Sequence, residues 1–333
     1  MKSAIAKGGS GIDQLEIREV ADPSPGPGEA LVRLKAATLN YRDLLFITGR
    51  LGPGMTKDPE YVPMSCGAGE VVSVGDGVTR VKPGDRVSPI FALGWRSGRA
   101  PTMQMLGGLA DGVARQLAVF EAEDLCLLPD ELGDLEAATL TCAGLTAWNA
   151  LFLPRPLQRG EWIAVQGTGG VSMAALQWAK GAGANVAVTS SSDAKLHRAK
   201  AMGADVTINY RTNPDWAAAT RSALGGKGVD IVVDTAGAGE VEASAGLLNE
   251  GGLLAAIGNL SGNFNFGVEE VHGRRVANIS VGNRDEQEAM IAFAADHGIR
   301  PVVDVVYDLD RLKDAMHHME SGKFFGKIGV NLI

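Results

Sequence analysis

Between residues 161 and 195 the pattern of apolar and polar positions changes period twice. An apolar run at 163–165 predicts a short strand in the middle of a sheet. Gly167, Gly169 and Gly170 interrupt it. Val171, Ala174, Ala175, Trp178, Ala179 and Ala182 then recur at helical spacing and predict an amphipathic helix, stopped by Gly181 and Gly183. A second apolar run follows and ends in Thr189, Ser190, Ser191 and Ser192. Strand, glycine turn, helix and strand make a βαβ unit.

The pattern elsewhere divides the chain. Residues 1 to about 140 read as mostly β: short runs such as 30–34 and 70–74 are separated by Pro and Gly turns at 23–28, 75–77 and 83–85. From about 144 to 284 strands and helices alternate, with later strands expected at 230–234, 253–257 and 276–281. Right-handed crossovers would gather these into one parallel sheet. The tail predicts a helix at 286–296, a strand at 302–306, a helix at 309–319 and a strand at 327–332, which could rejoin the first part. The expected organisation is therefore a β domain at 1–143 completed by 285–333, with a dinucleotide-binding domain at 144–284 inserted. Segment 89–112, where Phe91, Trp95 and Met103 sit among Gly and Pro, reads as a long loop. It is either a substrate lid or a surface excursion anchored by its aromatics.

The glycines carry the first chemistry. Gly167 permits a tight turn, Gly169 lets backbone approach a pyrophosphate, and Gly170 opens a helix whose free N–H groups and positive dipole end face that phosphate. Thr168 and Val171 complete the loop, and a tight turn without a ligand is the alternative. Ser172 stands at the third fingerprint position in place of Gly. An NAD site expects a carboxylate about 20 residues on. Ser190 stands there instead, beside Ser191, with Lys195, Tyr210 and Arg211 following. Hydroxyls and cations attract a 2′-phosphate where a carboxylate would repel it. The cofactor expected is NADP(H). A serine-rich turn with a solvated Lys195 is the other reading.

Composition narrows the rest. The 333 residues suffice for two domains, and 45% hydrophobic with 5% aromatic content is globular. The net charge of −8, with no basic block, argues against a nucleic-acid partner. No apolar stretch approaches the roughly 20 residues of a membrane span. No secretory core follows the N-terminus. Three cysteines, Cys66, Cys126 and Cys142, suit a reducing, cytoplasmic setting without a disulfide framework.

LNYRD at 39–43, CGAGEVVSVGDGV at 66–78, GDRV at 84–87, TCAGLTAWNAL at 141–151, QGTGGVS at 166–172 and GKIGV at 326–330 occur in an order that resembles the medium-chain dehydrogenases/reductases. The resemblance covers essentially the whole chain and looks closest to zinc-free quinone-oxidoreductase-like and alcohol-dehydrogenase-like members. It implies an α/β architecture of a GroES-like β domain plus a Rossmann doubly wound parallel sheet. It also implies a homodimer or homotetramer, often paired through the last Rossmann strand.

Departures from that pattern define the candidate site. Where zinc-bearing relatives have Cys, this chain has Asn40; where they have His and Glu, it has Ser65 and Cys66. Only Cys142 falls on a zinc-ligand position, and no metal is expected. Without a Lewis acid, hydrogen bonds and fixed charge must stabilise developing negative charge, which suits quinones, enones and related carbonyls. Asn40 is placed to face the nicotinamide or substrate oxygen, or else caps a turn. Tyr41 is a proton donor or a core tyrosine, and Arg42 with Asp43 forms a structural pair. The resemblance brings Phe325 and Lys327 back towards the cofactor, where Lys327 meets a phosphate or is an exposed strand-end lysine. Gly258, Asn259, Val281, Gly282 and Asn283 follow the last two Rossmann strands, as nicotinamide contacts or as ordinary turns. Thr146 is a cofactor contact or a helix cap. The expected activity is NADPH-dependent, zinc-independent hydride transfer to a quinone, enone or carbonyl. An NAD(P)-dependent alcohol dehydrogenase and a catalytically idle NADPH-binding protein are the alternatives.

Overall fold

Alternating apolar and polar residues across Glu29–Thr38 produce a ten-residue strand with Ala30, Val32 and Leu34 fully buried. It organises the first of two units in the computed structural model of the chain. Residues 1–99, 104–258, 269–271 and 274–333 are described. One unit comprises Met1–Leu145 and Val281–Ile333, the other Thr146–Ser280.

In chain order the elements before the glycine turn are β1 (Lys2–Ile5), β2 (Glu16–Glu19), β3 (Glu29–Thr38), α1 (Tyr41–Ile47), β4 (Cys66–Val74), β5 (Arg86–Pro89), β6 (Leu117–Glu121), β7 (Leu125–Leu127), α2 (Asp134–Ala137), a π-helical turn at Leu140–Gly144, α3 (Leu145–Phe152) and β8 (Trp162–Gln166). Then come α4 (Gly170–Gly181), β9 (Asn185–Ser190), α5 (Asp193–Ala201), β10 (Val206–Asn209), α6 (Trp216–Ala223), β11 (Val229–Asp234), α7 (Val241–Leu247), β12 (Leu248–Ala256), β13 (Glu269–Val271) and β14 (Arg274–Asn278). The tail adds α8 (Arg284–Asp296), β15 (Val303–Asp308), α9 (Leu312–Glu320) and β16 (Lys327–Asn331).

In the first unit the sheet runs β15-β16-β3-β4-β5-β7, with β6 also on β3. The tail strand β16 pairs antiparallel with β3 at Gly329↔Thr38, so the C-terminal segment completes the N-terminal sheet. Its core joins Val32, Leu34, Leu44 and Phe46 to Leu312, Met316, Ile328 and Val330. Segment 89–112 is tied by short pairings, Leu93 N–H to Gln104 O (3.0 Å) and Leu106 N–H to Phe91 O (3.0 Å). Phe91 is buried, with the Arg42 guanidinium 4.7 Å from its ring centre, so this aromatic serves as an anchor. Met103 lies outside the described residues.

The second unit is a sheet in the order β10-β9-β8-β11-β12-β14-β13. The first six strands are parallel and the edge strand β13 is antiparallel. This is the doubly wound order, and it reverses direction between β8 and β11, where such sheets bind ligands beyond the strand ends. The helix after the glycine turn buries a stripe that shares Ala175, Trp178 and Ala179 with the expected one and differs in the rest. Ser172, Met173, Ala175, Leu176, Trp178 and Ala179 are buried, while Val171, Ala174 and Ala182 are only partly so. The larger Met173, Leu176 and Trp178 set the phase where alanines carry little preference. The strand expected at 276–281 is instead Arg274–Asn278, and β13 covers its outer side. A partner pairing at this edge of the described sheet would meet β13.

Candidate active site

The glycine turn is held from below. The Gln166 carbonyl accepts hydrogen bonds from Ser172 Oγ (2.7 Å) and Thr235 Oγ1 (2.8 Å), which ties the end of β8 to α4 and to the end of β11. This explains the fingerprint departure, since Ser172 is small enough to pack and adds a hydroxyl bond that Gly lacks. The Gln166 side chain donates to Ser244 Oγ (2.8 Å), which donates to Asp234 Oδ2 (2.8 Å). Asp234 also accepts the Ala236 and Gly237 N–H groups through Oδ1 at 3.0 and 2.9 Å. Burial raises its carboxyl above the usual range, against those hydrogen bonds. Reading the sequence for glycines missed this Gln166–Ser244–Asp234 network. The available signal was a carboxylate ending the apolar strand VDIVVD.

Above that support, Gly167 has φ +74°. The α4 cap is Gly169, which offers no side chain to the first-turn N–H groups. A Cβ built on Gly169 would meet no atom within 4 Å among the described residues. A cradle of backbone donors with room beside it is what a pyrophosphate requires. Thr168 is buried within the turn and Val171 partly so. At the ends of β9 and β10, Tyr210 N–H bonds Ser190 O (3.1 Å), which brings Tyr210 beside Ser190 and Ser191. Ser190 Oγ accepts from Ser192 N–H at 3.4 Å, and Ser192 Oγ caps α5 by accepting from Lys195 N–H. Tyr210 is 42% exposed.

Gly258 is a packing glycine. A Cβ there would lie 2.1 Å from Thr235 O, and its N–H already bonds Asp234 O (3.0 Å). Asn259 lies outside the described residues. Thr146, near the start of α3, is buried.

In the other unit, Asn40, Lys327, Ser65, Cys66 and Cys142 come together. Asn40 precedes α1, whose Asp43 carboxylate turns back to accept the Asn40 N–H (2.8 Å). The Asn40 side chain is used elsewhere, with Nδ2 donating to Cys66 Sγ (3.0 Å) and Ser65 Oγ (3.3 Å) and Oδ1 accepting from Lys327 Nζ (2.5 Å). Lys327 also donates to the Leu39 carbonyl. At 4% exposure Lys327 is buried, so it is not the exposed strand-end lysine allowed above. Phe325 is buried beside it, and Gly326 (φ +70°) makes the turn between them. Both Nδ2 hydrogens of Asn40 are engaged inside the protein.

Charge follows this geometry. Burial would raise the Cys66 thiol, but the Cys142 hydrogen bond, the Lys327 charge and the Asn40 and Ser65 donors outweigh it and pull it down. Cys142 is held well above its ordinary value by its hydrogen bond to Cys66, then by burial. Burial pushes Asp43 up to about 6 against Arg42, 3.7 Å away, and the Asn40 N–H. Tyr41, at 39% exposure, is not a core tyrosine; Arg50 lies over its ring at 5.5 Å. Val281 is buried, and Asn283 Oδ1 accepts Glu286 N–H (3.0 Å) as the cap of α8, so its side chain serves that helix.

Residues 26–130 match the alcohol dehydrogenase GroES-like domain family, and residues 170–296 the zinc-binding dehydrogenase family. A zinc-type alcohol dehydrogenase-like protein of Schizosaccharomyces pombe is 40% identical, covering 97% of this chain and 96% of the relative. The structure of an NAD-dependent alcohol dehydrogenase superposes with TM-score 0.90 at 32% identity, covering 99% of each chain. That of an Escherichia coli quinone oxidoreductase complexed with NADPH gives 0.82 at 26%, covering 99% of this chain and 100% of the other.

The zinc in some of these names does not fit the donors here. A catalytic zinc needs about three protein ligands. The Asn40 amide turns its N–H groups, not its oxygen, to Cys66 Sγ and Ser65 Oγ, and a buried ammonium sits on that oxygen. Among the described residues no group of three or more His, Cys, Asp or Glu could hold a metal ion. With a GroES-like domain, a doubly wound nucleotide-binding sheet and a relative 40% identical over nearly its full length, the chain belongs to the medium-chain dehydrogenase/reductase superfamily and is an oxidoreductase of that type.

Proposed function

We propose that the chain is an NADPH-dependent, zinc-independent oxidoreductase that delivers hydride to a quinone, an enone or a related carbonyl. The observation that carries this reading is the buried Lys327 ammonium on Asn40 Oδ1, where metal-bearing relatives place a ligand. A fixed positive charge in a low-dielectric site favours developing negative charge without a metal. Electron-poor acceptors need the least such help.

When bound, the cofactor supplies the hydride. The turn at Gly167, Thr168, Gly169 and Gly170 would hold its pyrophosphate. Ser190, Ser191, Lys195 and Tyr210 would receive a 2′-phosphate, since the equivalent strand end carries hydroxyls and a cation. Tyr41, partly exposed at the first turn of α1, would return the proton. The relatives named alcohol dehydrogenase favour a second reading, the same chemistry run from an alcohol.

The test follows cofactor absorbance with purified protein. Oxidation of NADPH by quinones or enones, with weaker NADH binding, is expected. NADP reduction by alcohols alone would favour the second reading. Silence in both directions with firm NADPH binding would indicate an idle binding protein.

A further inference from the structure

The end of β9 carries no carboxylate, but α5 brings one back three residues later. Asp193 is the first residue of α5, after the capping Ser192. A carboxylate there suits the positive end of the helix. It also follows Ser190 and Ser191, where the reading above places a 2′-phosphate, and like charges repel. Asn209 meets this conflict. In the parallel pairing of β10 with β9 it lies opposite Ser190, and its Nδ2 donates to Asp193 Oδ1 at 2.7 Å. We propose that Asn209 is a determinant of nucleotide selectivity, holding the Asp193 carboxylate away from the adenosine ribose so that NADPH is accepted. This rests on the NADPH reading above.

The strand order gives the direction of this hold. The second sheet runs β10-β9-β8, so β9 separates β10 from the strand that ends in the glycine turn. A bond to Asn209 draws the carboxylate towards β10, on the side of β9 opposite that turn. The amide is oriented for the task. Asn209 Oδ1 accepts the Arg211 backbone N–H at 3.0 Å, which leaves Nδ2 to face Asp193. The Asn209 main chain is fixed as well, since its carbonyl accepts from Asn213 N–H (2.9 Å), Asn213 Nδ2 (3.0 Å) and Thr212 Oγ1 (3.2 Å). The start of α5 is held from its own side by the Ser192 cap on Lys195 N–H.

Asp193 is exposed and Asn209 half-buried. Once released, the exposed carboxylate is free to turn towards the ribose end of a bound nucleotide. There it repels a 2′-phosphate, a near-dianion at neutral pH, and accepts from the ribose hydroxyls of NADH. Asn209 thus acts through Asp193, as a positioning residue, and no chemical step passes through either. Asn209 also shapes the turn that bears Tyr210 and Arg211. Only a background without the Asp193 carboxylate separates the two roles.

The test measures dissociation constants for NADPH and NADH by titration calorimetry on the full chain, in wild type, Asn209→Ala, Asp193→Asn and the double variant. Asn209→Ala should lower the preference for NADPH over NADH about fivefold, the scale of one exposed charge pair. Asp193→Asn should keep or raise NADPH affinity, and in that background Asn209→Ala should change the preference by less than about twofold. The fall in Asn209→Ala should shrink as ionic strength rises from about 0.05 to about 0.5 M, because it is electrostatic. An unchanged preference in Asn209→Ala would overturn the proposal. So would the same fall with Asp193→Asn in place, which would assign Asn209 to the turn alone. Wild type binding NADH as tightly as NADPH would sink the cofactor reading instead, while the change of preference between variants still decides the role of Asn209. Binding of neither nucleotide would overturn both. Should Asn209→Ala fail to fold, Asn209→Val, which suits a strand and lacks the amide, takes its place in the same cycle.

Discussion

Lys327 Nζ lies 2.5 Å from Asn40 Oδ1, joining residues 287 apart in sequence at an amide whose other end holds a thiol. Hydrogen bonds to a charged group contribute about 1.5–3 kcal/mol. Lys327→Met should therefore lower kcat/KM for the reduced acceptor by roughly 10- to 100-fold. The substitution also leaves Asn40 Oδ1 and the Leu39 carbonyl without their donor, so the urea midpoint should fall. Unchanged turnover in a folded variant would remove Lys327 from the machinery.

The glycine turn makes a paired prediction. Gly169 has an ordinary φ of −81° and empty space where a Cβ would go. Gly169→Val should keep its thermal midpoint and weaken NADPH binding about tenfold or more, as one 1.4 kcal/mol step implies. Gly167→Ala, at φ +74°, should instead cost about 1–2 kcal/mol of stability. Titration calorimetry and denaturant melts on both variants separate the two effects.

Ser172→Ala removes a 2.7 Å hydrogen bond to Gln166 O while Thr235 Oγ1 still serves that carbonyl. A loss of about 1 kcal/mol is expected by urea denaturation. No measurable loss would mean that Thr235 alone satisfies the carbonyl.

Asp43 sets a pH dependence. Burial raises its carboxyl to about 6 in the fold, from an ordinary value of 3.8. Below the unfolded pKa both states are protonated and the contribution is fully present. Between about pH 4 and 6 the unfolded chain releases its proton first, so stability falls as pH rises, by ~3 kcal/mol in total. Asp43→Asn should flatten that slope in urea midpoints measured from pH 4 to 7.

Much of the nucleotide-binding unit was legible because its signals are local. The strand and helix periods and Gly167 lie within 30 residues, and they located β8, α4 and β9 closely. The helix face was read in part: Ala175, Trp178 and Ala179 are buried as expected, but small residues carry a weak pattern and Met173 and Leu176 were missed. The candidate site was legible only in part. Asn40 was singled out, but no local pattern announces that Lys327 turns inward onto it. That relationship is made by β16 pairing with β3, a long-range pairing that no local pattern announces.

The Gln166 carbonyl, held by two hydroxyls from two different elements, has a consequence for loading. A loop so fastened has little freedom to surrender when a dinucleotide arrives. Encounter should resemble a key entering a lock already cut, with a fast on-rate and a modest entropic penalty.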